Sequence, residues 1–421
     1  LTACGQDQGS SAPVAAAAKP AATPVAEERA VTTADSPARN LYWGDTHLHT
    51  SYSPDAFLMQ NRSATPDTAY QYARGLPVIH PLHRSRVQIG TPLDFLVVSD
   101  HAEFMGVVPK ILQGDPLVTN TPTGKRYAEM AAAGREIEVF GELIAQVNGV
   151  VPPNQDLNSP EVNSAVWGEI MDAADRNNDP GTFTAFMGWE WSSTPGGANL
   201  HRVVIMKEGR DKGEQFIPYS SLSSNKPEDL WAWLDKTSAD TGANFLAIPH
   251  KSNISAGKMF PLQDSAGSIL SPGYAQARMR WEPLVEITQI KGDSETHPNL
   301  SPTDEFADFE TYDHLIAVEG AESTIAFTDA FLGALSEGDR AMLQTTPPER
   351  IEQVGDYVRS GLLRGLVLEQ RIGANPYRFG LIGSTDSHTG LASAEEDNFH
   401  GKMAIDSTPE NKQKEIIPGT R

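Results

Sequence analysis

The chain has 421 residues, 39% of them hydrophobic, and a formal net charge of -22 at pH 7. That charge, with no compensating basic block, argues against nucleic acid or an acidic membrane surface as the main partner, while a small anion at a metal centre stays compatible with it. No apolar run reaches the roughly 20 residues that a membrane helix requires, and the single cysteine, Cys4, excludes an internal disulfide or a thiolate metal cluster.

Taken from its start, the chain opens on Leu1-Thr2-Ala3-Cys4-Gly5, which resembles the lipobox at which bacterial lipoprotein signals are cut and the cysteine is acylated. The expectation is a lipid anchor at Cys4, a place in the bacterial cell envelope as a periplasmic or outer-membrane lipoprotein, and a tether over 1–39. That stretch is rich in Ala, Pro, Ser and Thr, lacks periodicity and cannot bury enough surface to fold. From Leu41 apolar runs alternate with amphipathic stretches, the pattern of a β/α architecture, so 40–421 is read as one large domain. An apolar run precedes Asp45, and strands are predicted over 93–99, 182–189, 202–206, 244–248, 284–290 and 379–383. Helices are predicted over 124–147, 161–176, 227–238 and 348–372. Segments 107–123, 148–160 and 254–277, rich in Pro, Gly, Ser and Asn, read as long loops. After Met403 the chain turns polar, and the expectation is that it is truncated there relative to its relatives.

The ionisable residues fall in a pattern against these strands. In Asp45-Thr-His-Leu-His, His47 and His49 alternate on what reads as a strand, so both imidazoles share a face. Asp55 follows a Ser-Pro turn that can return a hard oxygen ligand to the same place. His101, Glu190, His250, and the pair Asp386 and His388 each follow an apolar run, whereas His201 stands at the beginning of one. A barrel of parallel strands gathers carboxyl ends on one rim, where such folds do chemistry. Six of the eleven histidines and three carboxylates in such positions point to a metal site, and imidazole with carboxylate suits Zn, Mn or Fe. His80, His83, His297, His314 and His400 are given no role. Trp189, Trp191 and Trp281 are expected to wall the pocket or the core.

The order His-x-His with an acid soon after, then Ser-Asp-His, Glu190, His201, His250 and Asp-Ser-His is similar to the PHP (polymerase and histidinol phosphatase) metallohydrolases. More narrowly, 42–54, 188–192, 281–295 and 383–388 resemble the DUF3604 family, and the likeness runs from about residue 41 to about 403. It implies a distorted (β/α)7-type barrel with long loop insertions and two to three divalent ions. Carried over by position, it gives His47, His49, Glu190 and Asp386 to one metal. Glu190 bridges to a second, completed by His201 and His250, and Asp55, His101 and His388 take the third. Asp55 departs from the histidine found in many PHP proteins and makes that site harder.

Two cations sharing Glu190 would acidify a bridging water, and the resulting hydroxide would attack phosphorus in a small anionic ester. Arg202, Lys251 and Lys291, with Arg280 as a weaker candidate, are the expected phosphate anchors. Asp45 and Asp100 are expected to fix imidazole tautomers, and Glu286 to lie inside the barrel near the metals. A sulfate-ester or amidohydrolase-type hydrolase and a non-catalytic metal-binding lipoprotein are the alternatives. An open coordination position facing a pocket separates catalysis from storage.

Overall fold

The computed structural model describes residues 40–311 and 354–411. Cys4, the tether, His314, the start of the helix expected from Pro348 and the residues past 411 lie outside the described residues. Strand β1 (Gly44–Leu48) is followed by helices α1 (Pro54–Leu58) and α2 (Pro66–Ala73), a two-stranded ribbon of β2 (Val78–Ile79) and β3 (Arg86–Val87), and β4 (Phe95–Val98). Helices α3 (Val107–Gln113), α4 (Pro116–Thr119), α5 (Pro122–Ala132), α6 (Glu136–Val147) and α7 (Pro160–Asn177) lead to β5 (Thr184–Trp191). Then come β6 (Arg202–Met206), α8 (Arg210–Gly213), α9 (Pro227–Thr241), β7 (Phe245–Pro249), α10 (Pro272–Trp281), β8 (Leu284–Gln289) and β9 (Gly292–Asp293). A helix over Val358–Ile372, here α11, and β10 (Gly380–Gly383) complete the order.

Local chemistry sets the helix starts. Thr65, Asp115, Thr121, Ser159 and Ser271 each accept a backbone N–H on the side chain, and each is followed by a proline that has no N–H to leave unpaired. The segment 107–123, expected as a loop, instead carries α3, α4 and the start of α5, the last two opened by Pro116 and Pro122. The single helix expected over 124–147 is two, parted at Gly134, whose φ of 73° is left-handed. Buried apolar residues of α3, α5 and α6 form a small core of their own with Phe104, Leu157 and Val162.

The sheet is a curled half-barrel in the order β1-β4-β5-β6-β7, beside a three-stranded sheet β10-β8-β9. Strands β1, β4 and β5 are parallel, but β6 runs antiparallel to both β5 and β7. The uniformly parallel rim expected from the sequence is therefore corrected at β6. The reversal has a consequence for the site: Arg202, the first residue of β6, pairs with Trp191 and with Pro249, the last residues of β5 and β7. A residue at the start of β6 thus reaches the same rim as residues that end its neighbours. Strand β1 also meets the segment that follows β10, through a parallel bridge between Leu48 and Ser387.

The main core lies between this sheet and the helices. Helix α7 turns Val166, Trp167, Ile170, Met171 and Ala174 inward at helical spacing. Trp189, wholly buried, sits edge-on to Trp167, Trp233 and Phe245 and donates from its indole to the Tyr219 carbonyl. Trp189→Ala is expected to cost about 3–5 kcal/mol, the range for emptying a buried aromatic position. Urea unfolding monitored by circular dichroism measures it, and a loss under about 1 kcal/mol would show that the aromatic cluster does not hold the sheet.

Candidate metal centre

All nine side chains singled out as ligands come together at the rim of the half-barrel. His47 Nε2 and His49 Nε2 are 3.2 Å apart, and each lies within 3.4 Å of both Glu190 Oε2 and Asp386 Oδ1. Glu190 divides its oxygens: Oε2 faces this pair, while Oε1 faces His201 Nδ1, His250 Nε2 at 3.4 Å and His101 Nδ1 at 3.5 Å. On the third side, Asp55 Oδ2 lies 2.8 Å from His388 Nε2 and 3.4 Å from His101 Nε2. His201 reaches the cluster through the reversal of β6, and Thr194 in the β5–β6 turn meets its other nitrogen at 3.2 Å.

Groups behind the imidazoles decide which nitrogens point inward with a lone pair. His47 Nδ1 is held at 2.9 Å by Glu286 Oε2, a carboxylate that can only accept. His49 Nδ1 meets Ser53 Oγ at 2.8 Å, and that hydroxyl donates onward to Asp100 at 2.8 Å. The Asp386 carbonyl holds His388 Nδ1 at 2.9 Å. In His47 and His49 a proton belongs on Nδ1, leaving Nε2 aimed at other acceptors, whereas His388 Nδ1 also lies 2.8 Å from the Lys402 amine. Lone pairs facing one another at these distances repel unless a cation or a proton lies between them, and this donor set fits divalent metal ions. His250 Nδ1, buried with no hydrogen-bond partner among the described residues, is a further donor left for a ligand.

The charges show the same strain. Burial opposes ionisation of Glu190, yet His101, His201 and His250 hold its carboxyl well below the usual range. Asp55 is likewise low against its burial, through His388 and His101. His47, despite burial, is pushed up to about 10 by Asp386 and Glu286, whereas burial drives His201 down to about 4 and His250 to about 3. Around Asp386, burial brings Lys402 down to about 7 and Lys251 well below the ordinary lysine value. Against the same burial, Asp386 holds Lys291 well above it.

The centre is partly open to solvent. Asp55, His101, His201 and Lys291 expose 26%, 16%, 18% and 18% of their side chains, whereas His47, His49, Glu190, His250, Asp386 and His388 are sealed behind them.

Some expectations are corrected here. Arg202 pairs across the sheet with Trp191, on the face opposite Glu190. It is buried there, with its Nε 2.9 Å from Glu282 and its guanidinium over Trp191, so it is not available as an anion anchor. Arg280 pairs with Asp235 at 2.8 Å instead. Asp45 accepts from the His47 backbone N and from Thr385, joining β1 to the segment after β10, and not from an imidazole nitrogen. Asp100 does orient His49, but through Ser53. Trp189, Trp191 and Trp281 lie in the core, one of the two places expected for them. Lys402, which no periodicity or strand end marked, is fully buried and lies 2.6 Å from Asp386 Oδ1.

Glu286→Ala is expected to lower metal affinity about 10–100-fold by freeing the His47 ring. Competition against a metal-sensitive dye checks it, and unchanged affinity would remove Glu286 from the site's support.

Residues 36–419 match the family model described as a protein of unknown function (DUF3604). No curated protein matches the chain.

Proposed function

The chain belongs to the DUF3604 family, whose description assigns no activity, and from the geometry of its site we propose that it is a metal-dependent phosphoesterase acting on phosphate mono- or diesters. The observation that carries this reading is the division of Glu190, one oxygen toward His47 and His49 and the other toward His201 and His250. A carboxylate placed so is suited to bridge two cations. The convergence of the nine side chains in the order found in PHP metallohydrolases supports completion of the half-barrel as a distorted barrel of that type.

In this reading His47, His49, Glu190 and Asp386 hold one divalent ion, Glu190, His201 and His250 a second, and Asp55, His101 and His388 a third. Divalent ions bound there would supply Lewis acidity and make water acidic enough to be a nucleophile near neutral pH. The protein's own part is orientation and charge. Glu286 and the Ser53–Asp100 pair hold a proton on Nδ1 of His47 and His49 and turn Nε2 of both rings inward as metal ligands. Partial exposure of Asp55, His101, His201 and Lys291 leaves the centre reachable by a small anionic ester, which favours catalysis over closed storage of metal.

The test is metal analysis of the purified protein joined to a screen of chromogenic phosphomonoester, phosphodiester, phosphonate and sulfate esters. Bound Zn, Mn or Fe with turnover of a phosphate ester is expected. Preferential sulfate-ester turnover would transfer the site to a sulfatase, and stoichiometric metal without turnover of any ester would make it a binding protein.

A further inference from the structure

His201 turns its Nδ1 to Glu190, whereas His47, His49 and His250 meet the same carboxylate through Nε2. Thr194 sets that choice. Its hydroxyl donates to the Ser192 carbonyl at 3.2 Å, so its oxygen is left to accept from His201 Nε2, also at 3.2 Å. A neutral imidazole with its proton on Nε2 carries its lone pair on Nδ1, aimed here at Glu190. Nδ1 is one bond nearer the backbone than Nε2, which leaves less reach to absorb a shift of the peptide that carries the ring. That peptide is tied at several points. The His201 N–H donates to Asn199 Oδ1 at 3.4 Å, and the His201 carbonyl accepts from His250 N at 3.4 Å, which joins two candidate ligands of one ion through the backbone. Leu200 N donates to the Ser193 carbonyl at 2.9 Å and closes the turn that sets Thr194 beside the imidazole. On the other face of β6, Arg202 folds its guanidinium back to the Leu200 carbonyl and so brackets His201. Glu282 braces the bracket: its Oε1 accepts from Arg202 Nε at 2.9 Å and from the Trp231 indole at 2.8 Å, and all three residues are buried. A planar guanidinium presents these donors in fixed directions, which a flexible lysine stem does not.

We infer that Thr194 and Arg202 are positioning residues for the second metal position, Thr194 by choosing the nitrogen that His201 presents and Arg202, braced by Glu282, by holding the peptide that carries it. The inference rests on the two-cation reading and deepens it, because it names what the second position depends on besides its own ligands. Neither residue touches an ion; each acts through His201. The position built on His47, His49 and Asp386 draws its support from Glu286, Ser53 and Asp100 instead, so a fault at Thr194 or Arg202 leaves that ion in place.

The experiment titrates the full chain, stripped of metal, with Mn or Zn in a calorimeter and resolves the separate binding steps. Thr194→Val, which keeps the branched shape and removes the hydroxyl, is expected to weaken one ion about 10–100-fold, the range for losing a group that orients a ligating imidazole. At least one other ion keeps the parent affinity within about twofold. Thr194→Ser restores the parent pattern, because only the hydroxyl is required. Arg202→Lys, which keeps a charge facing Glu282 and loses the fixed fork, weakens the same step in the same range. Leu234→Ala, a cavity in the main core on α9, lowers the unfolding midpoint and leaves every binding step unchanged. Parent affinity for every ion in Thr194→Val or in Arg202→Lys would overturn the inference for that residue. Equal weakening of all ions, the same pattern in Leu234→Ala, or a Thr194→Ser that behaves like Thr194→Val would overturn it outright, since general loosening would then suffice. Selective loss of one ion in a protein that cleaves no ester would uphold it and end the phosphoesterase reading. Ester turnover by a parent whose ions ignore both substitutions would do the reverse, and a parent that takes up neither metal would end both.

Discussion

Glu190→Gln is expected to abolish ester turnover and to release at least one metal ion. An amide presents one weak acceptor oxygen and one NH2 group, so whichever way it turns, one of the two donor sets facing the carboxylate meets N–H groups in place of a lone pair. His47 and His49 lie 3.3 and 3.0 Å from Oε2, and His250 lies 3.4 Å from Oε1, so neither set is spared. Loss of a supporting partner around a metal site costs about 10–100-fold in affinity or activity; loss of a group shared by two ions should exceed that. The measurements are metal content by mass spectrometry and turnover of whichever ester the parent cleaves. Unchanged turnover with unchanged metal content would remove Glu190 from the bridging position, and the two-cation chemistry with it.

The second large effect is on stability and proton balance. In the cation-free chain His47 is pushed up to about 10 although burial opposes it, because Asp386 and Glu286 favour its charged form. A folded value above the unfolded one near 6.5 means that this group stabilises the fold fully below pH 6.5 and loses the contribution as pH rises toward 10. A divalent ion takes the place of the inward proton. Loading the metal-free protein between about pH 7 and 9 should therefore release about one proton from His47, with apparent affinity rising about tenfold per pH unit across that window. His201 and His250, lowered to about 4 and 3 by burial, are already neutral there and release none. At a free metal concentration a thousand times Kd, each ion should stabilise the fold by about 4 kcal/mol. An indicator dye in weak buffer reads the proton, and thermal unfolding with and without Mn or Zn reads the stability. A midpoint that ignores both metals, with no proton released, would mean that these acceptors are not a metal site.

Much of this was legible in the chain because strand geometry converts spacing into direction. His47 and His49 share a face by alternation, and the carboxyl ends of β4, β5 and β7 mark His101, Glu190 and His250. The same alternation, applied at β6, would have set Arg202 on the face away from His201; adjacency in sequence was the wrong guide there. The reversal of β6 was also readable in part, since Thr194-Pro-Gly-Gly197 between two apolar runs is a turn signal, and Gly196 and Gly197 take positive φ values of 60° and 83°. Nothing local announced Lys402: its burial depends on the fold of distant segments, and a lysine in a polar stretch carries no period to follow. The helices over 107–119 were hidden by their prolines, which punctuate loops and open helices alike.

The seam between β1 and the segment after β10 has a consequence for how the protein is made. Thr385 donates to Asp45 at 2.6 Å across a separation of 340 residues, and Asp386 N donates to the His47 carbonyl at 2.8 Å. While the ribosome is still translating, the first histidines therefore wait without their aspartate until the residues between them have emerged, tens of seconds at about 5–20 residues per second. Any ion captured earlier would be held by an incomplete set of ligands and exchange freely, so the metal that finally stays is selected only once Asp386 has joined the first histidines.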